Sequence, residues 1–64
     1  MSLSSRQVLK RLSDDGWKPD RTSGSHVQLI HATKPGTVTV PHPRKDFPIK
    51  TLMSIEKMSG VKVR

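Results

Sequence analysis

A chain of 64 residues lies near the lower limit for independent folding and buries only about 60% of the surface its unfolded form exposes, which excludes a deep cofactor cavity. It contains no cysteine, so disulfides and thiolate metal sites are excluded as well. Twelve Lys and Arg against five Asp and Glu give a formal net charge of +7. That excess suits polyanionic partners, nucleic acid or an acidic protein surface, and it also falls within the solubility charge ordinary for a small domain.

The first element opens at Ser4. Ser4-x-x-Gln7 has the form of a capping box, and Val8, Leu9 and Leu12 make one apolar stripe while Arg6, Lys10, Arg11 and Asp14 face water. Gly16 suits a left-handed helix end, so a helix is predicted over about 5–15. Trp17 to Thr22 reads as a weaker strand, with Trp17, Pro19 and Arg21 on one face; Pro19 lacks the amide a central strand donates, which marks an edge. Ser23-Gly24-Ser25 is a turn. From 26 to 31 the side chains alternate, Val27, Leu29 and His31 inward and His26, Gln28 and Ile30 outward. Ala32 to Gly36 forms the hairpin loop, and Val38 and Val40 point inward from a third strand over about 37–41. Pro41-His42-Pro43-Arg44-Lys45-Asp46 is a basic loop. Pro48 suits the first turn of a second helix over about 48–58, Asp46 favours its positive end, and Ile49, Leu52, Met53 and Ile55 form its stripe. Gly60 closes it, and a short basic tail follows.

The expected architecture is α+β, one domain over 1–64: helix, three-stranded antiparallel meander, helix, with both helices on one sheet face. No apolar run approaches the ~20 residues of a membrane span, and Met1–Ser5 lacks the apolar segment of a signal peptide. A cytoplasmic protein with no membrane partner is expected.

All three histidines lie between Gly24 and Pro43. His26, read as exposed, carries an imidazole, the side chain suited to proton transfer at cellular pH; Gly24 leaves room for a phosphate and Ser25 adds a hydroxyl. On spacing alone His26 reads first as a surface histidine on a polar strand face, and only second as a site. His31, inward and near a strand end, reads as half-buried and bonded to backbone, and His42 as held in a stiff Pro-His-Pro loop. With His26 and His31 on opposite faces and few carboxylates, no zinc shell is expected, nor any cofactor. No Gly-x-Ser-x-Gly elbow or carboxylate pair is present, and Asp14-Asp15 reads as solvated surface. Lys34, Arg44, Lys45 and Lys50 are candidate phosphate contacts or simply a solvated face. No aromatic pair is available to stack bases, and a meander between the helices disfavours a helix-turn-helix and direct DNA binding.

Gly16-Trp17, Gly24-Ser25-His26, Thr33-Lys34-Pro35-Gly36, Val38-Thr39-Val40-Pro41-His42-Pro43 and Asp46-Phe47-Pro48-Ile49-Lys50-Thr51-Leu52 followed by Ser54-Ile55 resemble, in order and spacing over about 5–60, the HicA family of toxins. The resemblance implies a double-stranded-RNA-binding-like fold. It also implies a ribosome-independent mRNA interferase of a toxin–antitoxin pair, with catalytic histidine at His26 and a HicB-type antitoxin masking that face. Phe47 stands where many members carry Leu, as a volume variant of a core position; Pro19 and the tail after Gly60 are the least family-like features. The expected activity is metal-independent RNA cleavage, with Gly24, Ser25, Lys34, Arg44, Lys45 and Lys50 as candidate RNA contacts. The alternative is a module that holds double-stranded RNA without cutting it.

Overall fold

The computed structural model describes residues 3–64. Met1 and Ser2, which belong to the expected 1–64 domain and to the Met1–Ser5 stretch expected to lack signal-peptide character, lie outside the described residues. Ser4 Oγ accepts the Gln7 N–H, and Gln7 Oε1 accepts the Ser4 N–H in return. This reciprocal cap starts α1 (Ser5–Asp15), which ends at Gly16 with φ of 108°. Val8 and Leu12 are buried and Leu9 packs at their flank. Three strands follow, β1 (Trp17–Ser23), β2 (His26–His31) and β3 (Val38–Pro41), then α2 (Ile49–Ser59). The sheet is antiparallel in the order β1-β2-β3, and the helices cover one face of it. Between the layers lie Leu3, Val8, Leu12, Trp17, Val27, Leu29, Val38, Val40, Phe47, Leu52, Ile55 and Val63, so Phe47 is indeed a core residue.

Three details depart from the periodicity. First, β1 is bulged: Pro19 pairs with Leu29 but Arg21 pairs with Gln28, leaving Asp20 as the extra residue. Inward–outward parity therefore inverts after Pro19, and Arg21 joins the outer face with Gln28 instead of sharing the Trp17–Pro19 face. Second, α2 starts one residue later than its proline suggests, with Pro48 at the N-cap. Its buried line is Leu52, Ile55 and Ser59, while Ile49 and Met53 are about half exposed (54% and 52%). At 100° per residue, centring Leu52 and Ile55 on the core rotates Ile49 and Met53 to the flank. Third, the C-terminal segment is not a free tail. Val63 is fully buried, its carbonyl accepts from Arg11, and Glu56 accepts the N–H groups of Val63 and Arg64.

The chain directions decide what meets where. α1 and β1 run antiparallel across Gly16, so the start of α1 lies at the end of the molecule where β1 hands over to β2. β3 ends there too, because Pro41 pairs with His26. The loop after it leads into α2, whose far end returns to the β2–β3 loop through a Lys34 Nζ–Ser59 carbonyl bond (3.2 Å). Both helices thus begin at the His26 end of the sheet.

Candidate active site at the Ser25–His26 turn

Ser23 and His26 form the closing pair of the β1–β2 hairpin, leaving Gly24 and Ser25 as a two-residue loop. Gly24 has φ of 58° while Ser25 keeps a negative φ, the pattern of a II′ turn, which asks for glycine at its first central position. No heavy atom lies within 4 Å of where a Cβ on Gly24 would stand, so the approach to the turn is open.

His26 is exposed on the outer sheet face, away from the helices. Its neighbourhood is fixed from behind. The His42 N–H donates to the Ser25 carbonyl at 2.6 Å, tying the turn to the exit of β3. His42 in turn faces the helix layer, where its Nδ1 lies 2.7 Å from Ser5 Oγ. Ser5 Oγ also accepts the Arg44 N–H, and Ser5 N–H donates to the Arg44 carbonyl, each at 2.8 Å. A hydroxyl offers one donor and two lone pairs, so the buried Ser5 hydroxyl accepts from Arg44 and still pairs with His42 Nδ1. Ser5 therefore joins the first residue of α1, the 42–48 loop and, through His42, the Gly24–Ser25 turn.

That network brings Arg44 and Lys45 to the His26 end. Arg44 gives Nε–H to the Asp46 carbonyl at 3.1 Å and lies 5.7 Å over the Phe47 ring; Lys45 is exposed. Lys50 is exposed in the first turn of α2, at the same end. Neither helix carries an acidic residue in its first turn, so the positive ends of both helix dipoles add to these cations.

Lys34 is elsewhere. It follows His31 at the far end of β2, roughly 16 Å from His26 at the usual strand rise, and its ammonium binds Asp15 Oδ2 at 2.6 Å and the Ser59 carbonyl. This ion pair holds the Asp15 carboxyl below its ordinary pKa. Lys34 is a clamp between helix ends, and the structure does not bring it to the turn. His31 is half-buried and bonded to backbone, as its parity suggests. Its Nδ1 accepts the N–H groups of Thr33 (3.0 Å) and Lys34 (3.1 Å), and its ring meets Trp17 edge-on at 5.2 Å between centroids. Among the described residues no three His, Asp or Glu side chains converge as a metal shell would require.

Sequence periodicity misses Arg21. The bulge moves it onto the His26 face, opposite Gln28. The Pro19-Asp20 pair within a strand is the one local signal of irregularity. Pairing places Lys18, Arg21, Ser23, His26, Gln28, Ile30, Thr39 and Pro41 on this open face, and not one of them is a carboxylate.

A helix–three-strand–helix fold with an exposed histidine beside a glycine turn defines a small α+β protein with one candidate site, and comparison with known proteins supplies its family. The family model described as HicA toxin of bacterial toxin–antitoxin matches residues 5–61. The chain belongs to the HicA toxin family. Among solved structures, a chain of the "HicA3 and HicB3 toxin-antitoxin complex" is 34% identical, covers 94% of this chain and 97% of its own, and superposes with a TM-score of 0.82. A search of curated protein sequences finds no match. Among the described residues no helix is long and apolar enough to cross a membrane.

Proposed function

We propose that this toxin is an endoribonuclease acting on mRNA in the cytoplasm, with His26 as its catalytic residue. The observation that carries the reading is the placement of His26: exposed on a sheet face whose paired residues include two cations and no carboxylate, next to a glycine turn with open space above it. His26 takes the proton of a ribose 2′-OH as general base. The 2′-oxygen attacks the adjacent phosphorus, the bond from phosphorus to the 5′-oxygen breaks, and that oxygen leaves with a proton from water. The products are a 2′,3′-cyclic phosphate and a 5′-hydroxyl. Proton transfer of this kind contributes about 10²–10⁴-fold. The Ser25 hydroxyl and the turn N–H groups supply donors for charge developing on the phosphate. Arg44, Lys45 and Lys50 hold flanking phosphates, helped by the helix starts around them.

The solved relative is a toxin bound to HicB3. A HicB-type antitoxin that covers the His26 face fits this chain, since an acidic surface there would meet Lys18 and Arg21 and exclude RNA. The whole 64-residue chain acts as one domain in this reading.

The test is cleavage of RNA by wild type and His26→Ala, each with and without EDTA. Cleavage by wild type alone, undiminished by EDTA, supports a metal-independent reaction through His26. Equal cleavage by both proteins removes His26 from the mechanism. Salt-sensitive RNA binding without cleavage by either returns the protein to a binding module.

A further inference from the structure

We propose that Arg21 is a second catalytic residue, placed by the Asp20 bulge so that its guanidinium binds the non-bridging oxygens of the phosphate attacked beside His26. The inference rests on the ribonuclease reading above and extends it to a group that periodicity puts on the wrong face.

Register decides which side chain stands there. In a regular β1 the residue opposite Gln28 would be Asp20, and its carboxylate would share the outer face with His26. One extra residue between Pro19 and Arg21 changes that: Arg21 pairs with Gln28, Thr22 with Val27 and Ser23 with His26. The bulge puts Arg21 in the paired position opposite Gln28 and leaves Asp20 beside it as the exposed, unpaired extra residue. Bulges are common beside active sites because they re-aim a side chain without disturbing the rest of the sheet.

Reach follows from sheet geometry. Gln28 and His26 are two apart on one face of β2, so Arg21 is the diagonal neighbour of His26. Diagonal positions across an antiparallel pair are about 7–8 Å apart, within reach of a long side chain. A phosphate bound between the two side chains would touch both. Arg21 is exposed, so its guanidinium is available to a ligand.

The chemistry needs such a group. As the 2′-oxygen attacks, the phosphate passes through a state with more negative charge on its non-bridging oxygens than substrate or product carries. A planar guanidinium matches two of those oxygens at once, and donors aimed at developing charge are worth about 10²–10³ in rate each. His26 handles the proton and Arg21 the charge. Neither role substitutes for the other.

The experiment compares RNA cleavage by wild type, Arg21→Ala, Arg21→Lys and the charge-swapped Asp20→Arg/Arg21→Asp, with circular dichroism melts to confirm folding. Both positions are exposed. Arg21→Ala is expected to lower kcat by about 10²–10³ with KM changed only a few-fold, and Arg21→Lys to recover part of that loss. The swap keeps net charge constant and should lose as much as Arg21→Ala or more. If His26→Ala abolishes cleavage while Arg21→Ala or the swap leaves kcat intact, or raises only KM, Arg21 is not catalytic and the ribonuclease reading stands alone. If wild type cleaves no RNA, both fall.

Discussion

His31 Nε2 lies 2.8 Å from the carbonyl oxygen of Asp15, and the ring can donate there in only one tautomer. Nδ1 already accepts the backbone N–H groups of Thr33 and Lys34, so the proton is on Nε2 and closes the last turn of α1 onto the end of β2. One imidazole thereby satisfies an orphan helix carbonyl and two loop amides. His26, five residues earlier, has its side chain free on the opposite face. Chemically identical residues take unrelated roles because strand parity and strand end separate them.

Replacing His31 by Ala should therefore destabilise the fold without touching the reacting groups. Two loop amides and one carbonyl lose partners in a half-buried site, and Trp17 loses an edge neighbour. A cost of about 2–3 kcal/mol is expected, read as a fall in Tm of roughly 4–8 °C for each kcal/mol in a domain this small. Activity per folded molecule, measured well below Tm, should stay near wild type. His26→Ala should show the reverse: near-native Tm and no cleavage.

Gly16→Ala tests the same junction from the other side. Gly16 has φ of 108°, and a Cβ there would stand 2.9 Å from His31 Nε2. The left-handed backbone alone costs an L-residue about 1–2 kcal/mol, and the ring must also move off the Asp15 carbonyl. Thermal melts should place Gly16→Ala at least as low as His31→Ala. The double variant should fall short of the sum, because both changes break the same junction.

Much of this is legible in the sequence. Ser4, Gln7 and Gly16 mark α1 to the residue, since capping is local chemistry. Alternation assigns His26 outward and His31 inward in β2, where a regular strand keeps its period. Arg21 escapes because a bulge is a register event between two strands, and in β1 only the Pro19-Asp20 pair hints at irregularity without fixing where the register shifts. Val63 escapes for a related reason: the alternation of Val61 and Val63 is too short to mark an element, and only packing against the rest of the chain decides that Val63 is buried. Lys34 looks like any cation near a turn. What assigns it to Asp15 and Ser59 is the meeting of two helix ends distant in sequence.

Acid should weaken two ion pairs that tie chain segments together. The Lys34 ammonium bonded to Asp15, and the Arg64 guanidinium bonded to Glu56, hold both carboxyls below their ordinary pKa. A carboxyl depressed in the folded state contributes stability that is present above its unfolded value. That contribution is lost as pH falls through the folded one. Stability should thus decline below about pH 4, where unfolded carboxyls begin to take up protons. Melts from neutral to acid pH should show that decline, and Asp15→Asn and Glu56→Gln should each start lower and fall less steeply.

Lys34 and Lys45 make the sharpest contrast among the cations. If Lys34 serves the fold, Lys34→Met lowers Tm by releasing Asp15 and the Ser59 carbonyl and leaves RNA binding alone. Lys45, exposed beside the His26 end, should behave oppositely, with Lys45→Met leaving Tm unchanged and weakening RNA binding. Each phosphate that a variant no longer neutralises reduces the slope of log affinity against log salt by about 0.7 for single-stranded RNA. Binding titrations on a His26→Ala background, so that the RNA is not consumed, separate the two. The slope should drop by the share of one phosphate for Lys45→Met and stay constant for Lys34→Met, and a drop for Lys34→Met would put that lysine back on the RNA. Charge count cannot explain the difference, since both variants lose one positive charge. Position explains it: one ammonium already has a carboxylate at 2.6 Å, and the other faces solvent where two helices begin.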